Sequence, residues 1–321
     1  MSAPWVDPTL VVVAAGTSAV GAVSGALGCF AYLRRQGLVG DVVSHSALLG
    51  VVGAFVLSHL VTGSGSRSLA VLVPGALVAG TAALLLARFV TLRTRLKDDA
   101  SLGAMLAVFF GGGLFLLRWV QRQSPPIPGH TGLEDYLFGM AAAMTRADLW
   151  MILGLGATSL LALALVWKEL KVFTFDPDFS GSLGLPARAL DTLTMALLVA
   201  GVVVGIQTVG VILMIAMLVT PASAARQWTS RLGPMVLLSG TFGAVSGATG
   251  ALVSASEAGL PTGPVVVLVA TAIFVVSLRM PGFWCRNQPD CADSIDNRCA
   301  KRNTPRRERR SLQIPRYHSV H

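Results

Sequence analysis

Asp41 and His45 lie in the stretch GDVVSHSALLG, residues 40 to 50, at the mouth of a long apolar run. Four residues apart, they stack one turn above the other on a single helical face. Two readings of the pair stand side by side. In the first, Asp41 caps the N-terminus of a helix, favoured by the helix dipole, and His45 is an interfacial side chain. In the second, a carboxylate oxygen and an imidazole nitrogen reach one divalent ion, a mixed donor set that suits Mn(II), Fe(II) or Zn(II). Two donors are too few for any of these ions, so the second reading needs a second copy of the chain, with the helices facing each other across a two-fold axis.

The elements that must hold this pair are membrane spans. Of 321 residues, 53% are hydrophobic and 13% charged, and the mean hydropathy is +0.67. A soluble domain carries about 25% charged residues, so this supply cannot cover a water-facing surface and the chain reads as an all-α polytopic membrane protein. The net charge of +9 comes from Lys and Arg confined to the gaps between apolar runs and to the tail, which is a topology signal rather than a nucleic-acid stripe. The N-terminal MSAPWVDPTL has no Lys or Arg, so the first apolar segment is expected to be retained as a span.

At about 20 residues per crossing, spans fall near 11–32, 43–60, 69–88, 101–117, 149–167, 191–207, 210–224, 235–254 and 264–280. Residues 191–230 read either as one long span or as two short ones broken around Gln207, Thr208 and Gly210, giving eight or nine in all. Positive charge favours nine with the N-terminus outside. Arg34, Arg35, Arg88, Arg93, Arg95, Lys97, Lys168, Lys171, Arg188, Arg226, Arg231 and the basic tail then lie inside, and only Arg67, Arg118, Arg122 and Arg146 lie outside. Residue counting from Arg35 puts Asp41 close to the inner face. Small residues recur at helix-contact spacing in GAVSG (Gly21, Gly25), GVVVG (Gly201, Gly205) and GAVSG again (Gly243, Gly247), the spacing that lets helix backbones approach in lipid.

Few other ionisable residues compete with the pair. His59 and Glu257 fall at outer ends of spans and read as solvated. Cys29, Cys285, Cys291 and Cys299 lack the C-x2-C spacing of a zinc site. There is no HExxH, no G-x-S-x-G and no G-x-x-x-x-G-K-[ST] phosphate loop, so any ATP must be bound by another chain and the protein is not itself an enzyme. Residues 1–280 form the transmembrane unit. Residues 281–321, basic and without apolar periodicity, read as a disordered cytoplasmic extension.

Four stretches in order, GDVVSHSALLG (40–50), GLEDYLFGMAAA (132–143), FDPDFSGSLGLP (175–186) and VGVILMIAMLVTPASAAR (209–226), resemble the ABC-3 family of membrane permeases of bacterial manganese, zinc and iron ABC importers. The resemblance covers roughly residues 11–280. It implies an importer permease of the vitamin B12/metal-chelate architecture in the bacterial inner membrane, without a resident cofactor. Asp41 and His45 would line the path and bind the transported Mn2+, Zn2+ or Fe2+. It also implies an ABC ATPase subunit, an extracytoplasmic metal-binding protein and a second permease, identical or paralogous. Residues 175–186 would be the short helix that docks into the ATPase, with Asp176 and Pro177 starting it and Gly184 ending it, and Phe175 and Pro186 flanking it. Glu134 and Asp135 would face the binding protein. Leu49 stands where many manganese-type members carry proline. The rivals are a proton-coupled carrier using Asp41 and His45 as a relay and an ABC permease for a larger metal chelate.

Overall fold

The computed structural model describes residues 8–34, 36–63, 68–123, 144–184, 186–256 and 261–279. Glu134, Asp135, the whole 132–143 stretch, Glu257, and the tail with Cys285, Cys291 and Cys299 lie outside the described residues.

Every regular element among the described residues is helical. In chain order they are α1 (Pro8–Leu33), α2 (Gly37–Thr62), α3 (Leu69–Arg93), α4 (Asp98–Gln121), α5 (Arg146–Leu165), α6 (Trp167–Phe175), α7 (Pro177–Ser182), α8 (Ala187–Val209), α9 (Val211–Trp228), α10 (Leu232–Ser256) and α11 (Thr262–Arg279). Eight of them are long and apolar enough to cross a membrane: α1 to α5, α8, α10 and α11. In lipid the backbone must satisfy its own hydrogen bonds, which leaves helices as the spanning form for such apolar runs. Exposed Leu57, Leu60, Val78, Phe115, Trp150 and Leu268 give the bundle an apolar outer surface.

The segment from Asp191 to Ser230 is two helices. They meet at Gly210, whose φ of 89° and ψ of 162° fall in a region open essentially to glycine alone. A Cβ on Gly201 would touch Leu27, and one on Gly28 would touch the Leu218 carbonyl. Leu27 and Gly28 are neighbours on α1, so Gly201 before the break and Leu218 after it lie at one level. The chain folds back at Gly210, and α9 is the 18-residue return limb; the expected nine spans compare with eight described helices long and apolar enough to cross, α9 not among them.

Small residues set the tightest contacts. Along α1 and α10, Thr17 meets Gly247, Gly21 meets Gly243, and Gly25 meets Ser239; an added Cβ on any of these glycines would sit within 2.5 Å of facing backbone. The two GAVSG segments therefore pack antiparallel against each other, their backbones close enough for Thr17 to donate to the Gly247 carbonyl (3.0 Å) and Ser239 to the Gly25 carbonyl (2.6 Å). The same device pairs Gly50 of α2 with Gly75 of α3, and seats Gly113 of α4 beside Leu48 and Leu49 of α2. GVVVG is used differently, with Gly201 receiving Leu27 and Gly205 receiving Met214. Cys29 is buried and donates weakly to the Gly25 and Met235 carbonyls, a packing role.

Arg34, Arg88, Arg93, Lys97, Lys168, Lys171, Arg226 and Arg279 gather at one end of the bundle. The contacts that bring their helix ends together are Phe30 with Trp167 and Trp228 with Ser277. Arg118, Arg122 and Arg146 lie at helix ends of the other side.

Candidate metal site

α2 begins at Gly37, with Gln36 at the N-cap making no side-chain capping bond. Asp41 is thus in the second turn and is not the cap. Val42, Val43, Ser44 and Ser46 face the core and are at most 1% exposed. The two serines return their hydroxyls to the helix backbone, at Gly40 and Val43. The same helical phase turns Asp41 and His45 to the adjoining face, where their side chains keep 28% and 19% exposure.

His45 Nε2 lies 3.1 Å from Asp41 Oδ1. Phe110 of α4 packs edge-on against the imidazole, with ring centroids 4.5 Å apart, and fixes its plane. His45 Nδ1 is buried and has no partner among the described residues. Nε2 is the nitrogen that faces Asp41, and an oxygen and a nitrogen donor one turn apart are a pair that a divalent transition ion can take. No third His, Cys, Asp or Glu joins them among the described residues. Two donors are fewer than such an ion requires.

Packing sets the level of the pair. Gly50 of α2 faces Gly75 of α3. At 1.5 Å per residue, Gly50 is about 20 Å past the start of α2, and Gly75 is about 20 Å from Arg88. The start of α2 is therefore level with Arg88. Asp41 lies about 6 Å and His45 about 12 Å from that level.

His59, expected to be solvated, is half-buried near the other end of α2, with Nδ1 buried and unpartnered among the described residues. It is separated from the pair by more than three turns.

The segment 175–186 has the expected boundaries. Asp176 caps α7, its Oδ1 accepting from the Phe179 amide at 2.9 Å, with Pro177 in the first turn. Gly184, at φ 74°, ends it and donates to the Gly181 carbonyl. Pro186 stands at the N-cap of α8. Phe175 at the end of α6, Phe179 in α7 and Leu183 at its C-cap are each more than half exposed. The span read as 149–167 ends at Leu165, and α6 follows from Trp167 after a break at Val166, with φ −104° and ψ 21°.

Comparison with known proteins agrees with this geometry. Residues 7–280 match the model of the ABC 3 transport family. The chain is 42% identical over 266 residues to the manganese transport system membrane protein MntC of Bacillus subtilis, covering 83% of this chain and 59% of that protein's length. It is 42% identical over 274 residues to the zinc transport system membrane protein TroC of Treponema pallidum, covering 85% and 89%. Among solved structures, PsaBC from Streptococcus pneumoniae in complex with Fab superimposes with a TM-score of 0.73 at 30% identity, over 85% of this chain and 92% of that one. A metal-chelate type ABC transporter in an inward-facing conformation, at 18% identity and a TM-score of 0.59, shares the fold. Matched over nearly the whole helical bundle, the chain belongs to the ABC 3 transport family.

Proposed function

We propose that this chain is the permease of an ATP-driven importer that moves Mn(II), Zn(II) or Fe(II) across the bacterial plasma membrane, and that the ion binds between Asp41 and His45 of two permease copies. The observation that carries the reading is the Asp41–His45 pair on one partly exposed face of α2, His45 Nε2 3.1 Å from Asp41 Oδ1, with no third donor of its own among the described residues. Relatives named for manganese and zinc transport support the cargo class.

The basic end of the bundle faces the cytoplasm, in keeping with retention of Lys and Arg on that side. On this orientation the exposed Phe175, Phe179 and Leu183 lie on the side where a separate ATPase docks, and an extracytoplasmic binding protein delivers the ion from the other side. Transport is alternating access. Two carboxylates and two imidazoles compete with the hydration shell while the protomers are closed around the axis, and separating the protomers halves the donor set and releases the ion.

The test is metal-dependent growth and uptake in a strain lacking the gene, complemented with wild type, Asp41→Ala or His45→Ala. Both variants should assemble with the ATPase and lose uptake by at least about tenfold, the scale set by first-sphere ligands exceeding the 10–100-fold cost of outer-sphere ones. Wild-type uptake in either variant refutes the site. Uptake that persists without an ATPase and follows the proton gradient would instead mark a secondary carrier.

A further inference from the structure

Arg34 and Arg88 enter the sequence argument only as topology charges, and Asp191 does not enter as a chemical group at all. The fold brings the three together. Asp191, in the second turn of α8, is 9% exposed and is the one acidic residue among the buried polar side chains of the described residues. Its Oδ1 accepts from Arg34 Nη2 at 2.5 Å, and its Oδ2 accepts from Arg88 Nη1 of α3. A carboxylate with one guanidinium on each oxygen is a charge-assisted clamp.

Arg34 follows α1 directly and precedes the start of α2 by three residues, so it stands at the root of the helix that holds Asp41 and His45. Its guanidinium lies 4.9 Å from the centroid of the Phe173 ring, and Phe30, one turn earlier, meets Trp167 edge-on at 6.2 Å. Phe173 and Trp167 both belong to α6, which runs into α7 with only Asp176 between them. The clamp thus joins the root of α2 to α3 and α8 on one side and to the docking segment on the other. A cavity of about 600 Å³, lined by Arg34, Arg88, Asp191, Lys97 and Gln36, opens beside it. Arg34 Nη1 and Gln36 Oε1 are buried there without partners among the described residues. Room, a spare guanidinium donor and a spare amide acceptor let the pairing rearrange when α6 shifts, which is what a two-position joint requires.

We propose that Asp191 is a positioning residue for transport: with Arg34 and Arg88 it forms the joint through which movement of α6 and α7 reaches the metal-site helix. The proposal rests on the importer reading. It predicts that neutralising Asp191 separates ATP hydrolysis from ion movement and leaves metal affinity intact.

The experiment uses the complete permease–ATPase complex in proteoliposomes, with Mn(II) as probe, and reads three quantities: Mn(II) affinity, ATP hydrolysis, and ions moved per ATP. Asp191→Asn should bind Mn(II) within about twofold of wild type and hydrolyse ATP, while ions moved per ATP fall about tenfold. Asp191→Glu should restore the ratio to within about twofold. Because Asp191→Asn leaves two guanidinium groups without their shared acceptor, Arg88→Gln, at the 36%-exposed edge of the clamp, decides the matter if that variant does not assemble. It should lower the ratio about threefold. An unchanged ratio in an assembled Asp191→Asn, or in Arg88→Gln where it decides, overturns the joint, as does a loss of Mn(II) affinity that accounts for the whole loss of transport. Wild-type complex without ATP-driven uptake overturns the importer reading and the joint with it; wild-type pumping with unaffected variants overturns the joint alone.

Discussion

Replacing Gly21 by alanine tests the packing on which the bundle depends. A Cβ at Gly21 would lie 2.1 Å from the Gly243 carbonyl oxygen and 2.5 Å from its carbon. The obstacle is backbone, so no side chain can turn aside. Reaching ordinary contact at 3.4 Å requires α1 and α10 to separate by about 1.3 Å at that level. The two bonds that flank Gly21 by one turn, Thr17 to Gly247 at 3.0 Å and Ser239 to Gly25 at 2.6 Å, then stretch toward about 4 Å and are lost; interhelical bonds in membranes average about 0.6 kcal/mol each. A radial gap of about 1 Å also forfeits a quarter to a half of each local dispersion contact, and overpacking of this kind costs about 1–3 kcal/mol. The expected destabilisation is about 2–4 kcal/mol, or a fall in Tm of roughly 5 °C or more. The assay is thermal unfolding of purified permease in detergent. Gly154→Ala, where nothing lies within 4 Å of the added atom, serves as control and should not lower Tm. If Gly21→Ala melts with wild type, the close approach of α1 and α10 is wrong.

Two further glycines give independent expectations. Gly210→Ala forces a Cβ into a backbone region that non-glycine residues enter at a cost of about 1–3 kcal/mol; Tm should fall, and an unchanged melt would mean that α8 and α9 do not fold back there. Gly184→Val strains the end of α7 at φ 74° and should weaken pull-down of the ATPase by the permease several-fold while Mn(II) binding is kept; normal co-purification would remove residues 175–186 from the docking surface.

The composition and apolar runs made the helical bundle legible, and the break of 191–230 around Gly210 is where two helices meet. The boundaries of α7 were legible because Asp176, Pro177 and Gly184 each act locally, through a cap, a fixed φ and a left-handed turn. The Asp41–His45 pair was legible as a pair. Its level against α3 is set by Gly50, the last residue of GDVVSHSALLG, meeting Gly75, a partner that nothing in the stretch itself identifies. Asp191 was missed because it was read as the water-side edge of a span beginning at that residue, whereas α8 begins at Ala187 and carries Asp191 a full turn inward. Its partners, Arg34 and Arg88, are 157 and 103 residues away in sequence, beyond any local signal; the nearest hint is an acid opening an apolar run.

The level of the α1–α2 turn has an electrical consequence on the importer reading. An ion held beside His45 would sit about 12 Å from the level of Arg88, where α3 runs about 29 Å from that residue to Leu69, so part of the transmembrane voltage would be crossed before the site and part after it. One elementary charge falling through 100 mV is worth about 2.3 kcal/mol, so a divalent ion would gain about twice that over the whole path. With the cell interior negative, the voltage would favour both loading from outside and departure toward the interior, whereas a site at the inner surface would concentrate the entire drop into the loading step.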